Sequence, residues 1–82
     1  MIRIETKTKL SPEAAIKKAV DFFGPGGLGL KVKNQSANGA GFEGGGGYIE
    51  ITTRIEEKKT AVELVAQEWE FQAREFVNQI SS

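Results

Sequence analysis

From Trp69 to Ile80 the chain places apolar residues at helical spacing. At about 100° per residue, Trp69, Ala73, Phe76, Val77 and Ile80 share one face, while Glu68, Gln72, Glu75 and Gln79 take the other. This predicts an amphipathic helix, stable only where something covers its apolar face. Upstream the period changes to two. Ile2, Ile4, Thr6 and Thr8 alternate with Arg3, Glu5, Lys7 and Lys9, and Leu10 closes a half-buried strand. Leu28, Leu30 and Val32 alternate with Lys31 and Lys33 in a second strand. Ala40 to Glu43 is a short third, with Phe42 inward. Tyr48 to Ile55 is a fourth, with Ile49, Ile51, Thr53 and Ile55 on one face and Tyr48, Glu50, Thr52 and Arg54 on the other. Between the first two strands, Ser11-Pro12-Glu13 opens a helix: a capping hydroxyl, a proline at the first helical position and an acid in the first turn. Ala15, Ile16, Ala19, Val20 and Phe23 are its apolar stripe. Gly24-Pro25 ends it, with Gly24 expected in a left-handed cap. Asn38-Gly39 is a hairpin turn signal.

Glu56 to Glu68 supports two readings. As helix, Thr60-Ala61-Val62-Glu63 is a capping box, and Val62, Val65 and Ala66 extend the stripe of the last helix. That reading exposes Leu64 and Phe71, and it makes a helix of about 30 Å, longer than strands of about eight residues can cover. As strand, Thr60, Val62, Leu64 and Ala66 alternate with Ala61, Glu63, Val65 and Gln67, and Glu56-Glu57-Lys58-Lys59 is a charged turn. The strand reading is preferred and the helix remains open.

The elements then run β-α-β-β-β-β-α. Two helices with one apolar stripe each, and strands with one apolar face, pack as an α+β two-layer sandwich: an antiparallel sheet of four to five strands with both helices on one side. The chain from 1 to 82 is a single domain, with no repeat, no linker and no disordered tract beyond Ser81-Ser82. The other face of the sheet, bearing Arg3, Glu5, Lys31, Lys33, Glu50, Arg54 and Glu63, is solvated. In element order the chain resembles a miniature of the helix-grip superfamily, the START-like polyketide cyclases and lipid-transfer proteins. The similarity covers most of the chain and rests on a first strand, a helix, an antiparallel meander and a C-terminal amphipathic helix. No signature residue is carried over. The chain is shorter than those proteins, with one helix after the first strand and fewer strands. The resemblance implies a ligand site between the sheet and the last helix.

Composition narrows the function. There is no cysteine and no histidine, so neither a thiolate metal site nor a Ser–His triad can be built. Eleven basic and eleven acidic residues give zero net charge, which argues against nucleic-acid binding. No apolar run reaches a membrane span, and Met1-Ile2-Arg3-Ile4-Glu5 is not a signal peptide, so the expected location is the cytoplasm. No cofactor is expected and no metal site.

Two glycine segments carry the remaining chemistry. Gly24-Pro25-Gly26-Gly27-Leu28-Gly29 matches G-x-G-x-x-G but follows a helix and opens a strand, the reverse of a dinucleotide site, and reads as a helix cap and connection. Gly44 to Gly47 is a loop, a bulge or a close approach to another group. Antiparallel order puts both segments at one end of the sheet, beside Phe23, Tyr48 and Trp69. The candidate ligand mouth there comprises Gly26, Gly27, Gly45, Gly46, Tyr48 and Trp69, against the alternative of a mobile hairpin with aromatics at the core edge. Glu43 and Glu50 read as cross-strand ion-pair partners of Lys31, Lys33 and Arg54 rather than as a catalytic pair. Phe71, about 160° from Trp69 around the last helix, is a candidate anchor for a second subunit. The leading expectation is a small binding module for an apolar or amphipathic ligand at the glycine-rich end. The alternative is an interaction or homodimerisation module. An enzyme ranks third, for want of a catalytic constellation.

Overall fold

A computed structural model describes residues 1–81; Ser82 lies outside the described residues. The elements are β1 (Ile2–Thr8), α1 (Pro12–Phe23), β2 (Lys31–Ser36), β3 (Gly39–Gly44), β4 (Gly47–Glu56), β5 (Lys59–Gln67) and α2 (Glu70–Ile80). All strands pair antiparallel in one five-stranded sheet of order β1-β5-β4-β3-β2. Residues 59–67 are therefore strand. Alternation and the charged turn prevailed over the capping box: Glu56 pairs with Lys59, and Glu57 and Lys58 turn the chain. The fold is the α+β sandwich that the periodicities predict.

One face of the sheet carries Ile4, Leu64, Ile51 and Ala40 in register, flanked by the row Ile2, Ala66, Ile49 and Phe42. Helix α1 lies over β3 and β4, and α2 over β1 and β5. Their stripes meet the sheet through Ala15, Ile16, Ala19 and Phe23 from α1 and Ala73, Phe76, Val77 and Ile80 from α2, all buried. Phe23 is the hub: its ring centroid lies 4.9 Å from Phe22, 5.2 Å from Phe76 and 5.6 Å from Phe42. Such tilted ring contacts are favourable beyond the area they bury.

The far end of the packed face is threonine-lined. Thr8 and Thr60 are paired and buried. The Thr60 hydroxyl donates to the Leu10 carbonyl at 2.7 Å, and the Leu10 N–H donates to Thr8 Oγ1 at 3.2 Å, so the β1–α1 corner is tied to β5. Thr53 donates its N–H (2.8 Å) and its hydroxyl (3.1 Å) to the Asn38 carbonyl, anchoring the β2–β3 turn to β4. The hydroxyls satisfy backbone groups at the margin of helix cover, where an unpaired carbonyl would be costly. Ser11 caps α1 as expected, its Oγ accepting from the Ala14 N–H at 3.1 Å.

Several expectations are corrected. Gly24 is extended (φ −73°, ψ −169°), not left-handed, because the loop after it folds back to cap α1 with its own N–H groups. Strand β2 starts at Lys31. Leu28 belongs to the loop and is half exposed, and only Leu30 of that pair is buried. The β2–β3 turn is Ala37-Asn38, and Gly39 already pairs with Ser36. Ile55 is 73% exposed although it lies on the packed side, since neither helix reaches the last turn of β4. Trp69 is the N-cap residue of α2, not part of its stripe. Ser81 is ordered: its hydroxyl donates to the Val77 carbonyl at 2.6 Å and lies 2.7 Å from Thr6 Oγ1.

Candidate functional site

The two glycine segments do lie at one end of the sheet. Lys31, just after the first, pairs with Glu43, just before the second, and a Cβ on Gly44 would come within 2.8 Å of Leu30 Cδ2. Their uses differ. In the α1–β2 loop the backbone caps the helix. The Leu28 N–H donates to Phe22 O at 3.0 Å, the Leu30 N–H to Phe23 O at 3.0 Å, and the N–H groups of Gly27 and Gly29 to Gly24 O at 2.9 Å each. The N–H groups of Gly27, Leu28, Gly29 and Leu30 are therefore turned onto carbonyls of the helix end and its cap instead of outward to a phosphate, as the orphan groups of a helix C-terminus demand. Gly27 packs directly on the Phe22 and Asp21 carbonyls, leaving no room for a side chain.

In the second segment Gly44 pairs with Gly47, so Gly45-Gly46 is a two-residue hairpin turn, with φ of 57° and 82°. Positive φ at both central positions is the primed turn that suits strand twist, and glycine adopts it without strain. Trp69 closes over this turn. Its indole N–H donates to the Gly44 carbonyl at 2.8 Å, and a Cβ on Gly45 would lie 2.9 Å from its Cζ2. Gly47 is pressed against the Gln67 carbonyl and the Glu68 side chain. Glu68 itself takes φ 75° to swing the chain from β5 into α2. The close approach implied by four consecutive glycines is thus to the tryptophan and the β5–α2 corner.

A shallow depression of about 830 Å³ lies on the open face of the sheet at this same end. Lys31, Lys33, Glu43, Tyr48 and Glu50 rim it, and Gly44, Gly46 and Gly47 form its floor. A smaller one of about 220 Å³ continues it along β3 past Glu50, floored by Gly39. Along this furrow Gly39 and Gly41 both point to the open face and offer no side chain, but only Gly39 leaves its space open. The Asn34 amide lies over Gly41, within 2.9 Å of where a Cβ would be. Period-two glycine in β3 was the sequence signal for it.

Of the candidate residues, Gly46 and Tyr48 line this depression; Gly45 and Trp69 meet each other at the turn; Gly26 and Gly27 lie in the α1–β2 loop. Phe23 is fully buried in the core. The Tyr48 hydroxyl donates to Met1 Sδ at 3.2 Å, which ties the rim of the furrow to β1's entry. Lys33 reaches Glu43 at 3.8 Å, whereas Arg54 pairs with Glu56 at 3.2 Å and not with Glu50. Glu56 also takes Lys7 at 3.1 Å. The Lys7 ammonium, and after it the Arg54 guanidinium, hold the Glu56 carboxyl below the ordinary glutamate value. Phe71 is 70% exposed on the side of α2 opposite its buried stripe. Among the described residues no three acidic, histidine or cysteine side chains gather as a metal site, and no helix is long and apolar enough to cross a membrane.

Comparison with family models, with curated proteins and with solved structures returned no match.

Proposed function

We propose that this chain is a small binding module that takes an amphipathic ligand on the open face of its sheet, at the glycine-rich end. The observation that carries this reading is the glycine-floored depression rimmed by two lysines, two glutamates and Tyr48. Bare backbone lets a flat or apolar portion of a ligand lie close to β3, with Tyr48 beside it. The rim supplies charge of both signs to orient a polar group, which suits a zwitterion or a carboxylate-bearing ring better than a purely apolar chain. A helix-grip kinship is part of the same proposal: β1 beside β5, a four-strand meander and a final helix on the packed face support it. The core under α2 is filled by Phe76, Phe23 and Leu64, so the ligand is assigned to the opposite face.

An assigned amide NMR spectrum, titrated with fatty acids, aromatic carboxylates and nucleotides, tests the reading. Shifts gathering at Lys31, Lys33, Gly44 to Gly47 and Tyr48, and weakened by Lys33→Gln, are the expected result. Shifts confined to the Gly24–Gly29 loop, or none with any compound, would reject it. A second reading, an interaction module using Phe71, is favoured by that residue's exposure. It predicts that Phe71→Ser abolishes capture of a protein partner while the amide spectrum stays folded.

A further inference from the structure

The sheet has two free edges, and they are built differently. On β2 the pairing register shifts between Val32 and Asn34, and Lys31 and Lys33 stand at the bulge. A bulge breaks the regular row of donors and acceptors that an incoming strand would need. On β1 all seven residues from Ile2 to Thr8 pair with β5 in unbroken register, with no bulge, proline or glycine. Its outer edge therefore presents a regular row of backbone donors and acceptors.

The charges on β1 say what would cover that edge. Glu5 sits directly opposite Glu63 on β5, a like-charge pair. Glu63 is reached by Arg3 at 3.8 Å and Lys7 by Glu56, but among the described residues Glu5 has no ion-pair partner. A second copy supplies one. Antiparallel pairing of β1 with itself keeps open-face residues opposite open-face residues, so only alternate registers are allowed. Centring on Glu5 sets Glu5 against Glu5 and Arg3 against Lys7. Centring on Thr6 sets Glu5 against Lys7, whose ammonium is already held by Glu56, but also brings Arg3 against Lys9 just past the end of the strand. Centring on Arg3 sets Arg3 against itself. Centring on Ile4 sets Arg3 of each copy opposite Glu5 of the other; the Met1 ammonium and Lys7 that also fall opposite each other are each neutralised within their own chain, by Glu70 at 3.0 Å and Glu56 at 3.1 Å. We propose that the chain forms a two-fold dimer through β1, in the register that places Ile4 opposite Ile4 and Arg3 opposite Glu5. The axis is perpendicular to the sheet, so the five-stranded sheet is doubled and all four helices stay on one side. Ile2 and Ile4, half-buried in one chain, are covered from the open edge.

Sedimentation equilibrium over a range of concentrations tests this. The expected result is a mass rising from that of the 8.9 kDa chain towards twice it. Glu5→Arg relieves the Glu5–Glu63 repulsion within one chain, so it folds at least as well as the parent. In the dimer it sets Arg3 against arginine, and it should weaken association at least tenfold. The double variant R3E/E5R restores opposite charges across the axis and should restore the dimer, while Phe71→Ser should leave it intact. A parent chain that stays at single-chain mass at its highest soluble concentration overturns the proposal. So does Glu5→Arg associating as strongly as the parent, or association that is lost in Phe71→Ser.

Discussion

Gly24–Gly29 and Gly44–Gly47 hold four glycines each and meet at one end of the sheet, but different partners dictate their shapes. The first is shaped by the end of α1: its N–H groups turn back onto the carbonyls of Phe22, Phe23 and Gly24. The second is shaped by a side chain distant in sequence, Trp69, which holds the Gly44 carbonyl and lies over Gly45. A local demand, capping a helix, built one; a tertiary contact built the other. Within each, the glycines also divide. Gly27 and Gly47 have no room for a methyl group, Gly45 and Gly46 need positive φ, and Gly26 has open space around it.

The contrast can be broken or sharpened by substitution. The largest effect is expected from Gly47→Ala, whose new methyl would collide with the Gln67 carbonyl and the start of α2. A cost of about 3 kcal/mol, read from the urea midpoint, follows from overpacking against backbone. Trp69→Phe removes the donor to Gly44, leaving a half-buried carbonyl without that bond, at about 1 kcal/mol. The turn amides of Gly45 and Gly46 should then exchange faster, while those of Gly27 and Gly29 keep their rates; equal acceleration in both loops would erase the distinction. Gly46→Ala forces a methylated residue to φ near 82° in open space, and should cost about 1 kcal/mol, less for Asn. Acid should act elsewhere. The lowered Glu56 carboxyl stabilises the fold fully above the ordinary glutamate range, and that contribution is lost as pH falls through its lowered folded value. Amides around Glu56 and Lys7 should therefore loosen in acid before those of either glycine loop, an effect that salt screens. Smallest is Gly26→Ala, expected within about 0.5 kcal/mol of the parent by thermal melting.

Both helices and most strands were legible because they have a clean period and most have a chemical stop; β2 was misplaced because the Leu28–Leu30 alternation falls in the loop and the strand that follows is almost wholly exposed. Ser11-Pro12 and Glu56 to Lys59 are local signals, and local physics decided them. Alternation alone could not say how far the helices cover the sheet, so Ile55 read as buried and is exposed. Helical spacing placed Trp69 on a stripe, but Glu68 turns the chain at φ 75° just before it, and the ring swings to the Gly44 turn instead. The convergence of the two glycine loops was deducible from antiparallel order. The depression on the open face was not recognised, since Lys31, Lys33, Glu43 and Glu50 read as solvated ion pairs and the outward glycines of β3 passed unremarked.

Strand order also governs the sequence of events during folding. The hairpins β3–β4 and β4–β5 close through two-residue turns and can form as soon as their residues are available, whereas β1 pairs only with β5, Ile2 against Ala66. Loop-closure entropy therefore makes β1 the last strand to dock, although it is the first to leave the ribosome. Pulse-labelled refolding should show β4 and β5 amides protected before those of β1; simultaneous protection would refute this order. Until β1 arrives, β5 is paired with β4 on one side only and its other edge is open to another strand. The danger of misassembly is then set by the speed of one late docking step and not by the stability of the finished sheet.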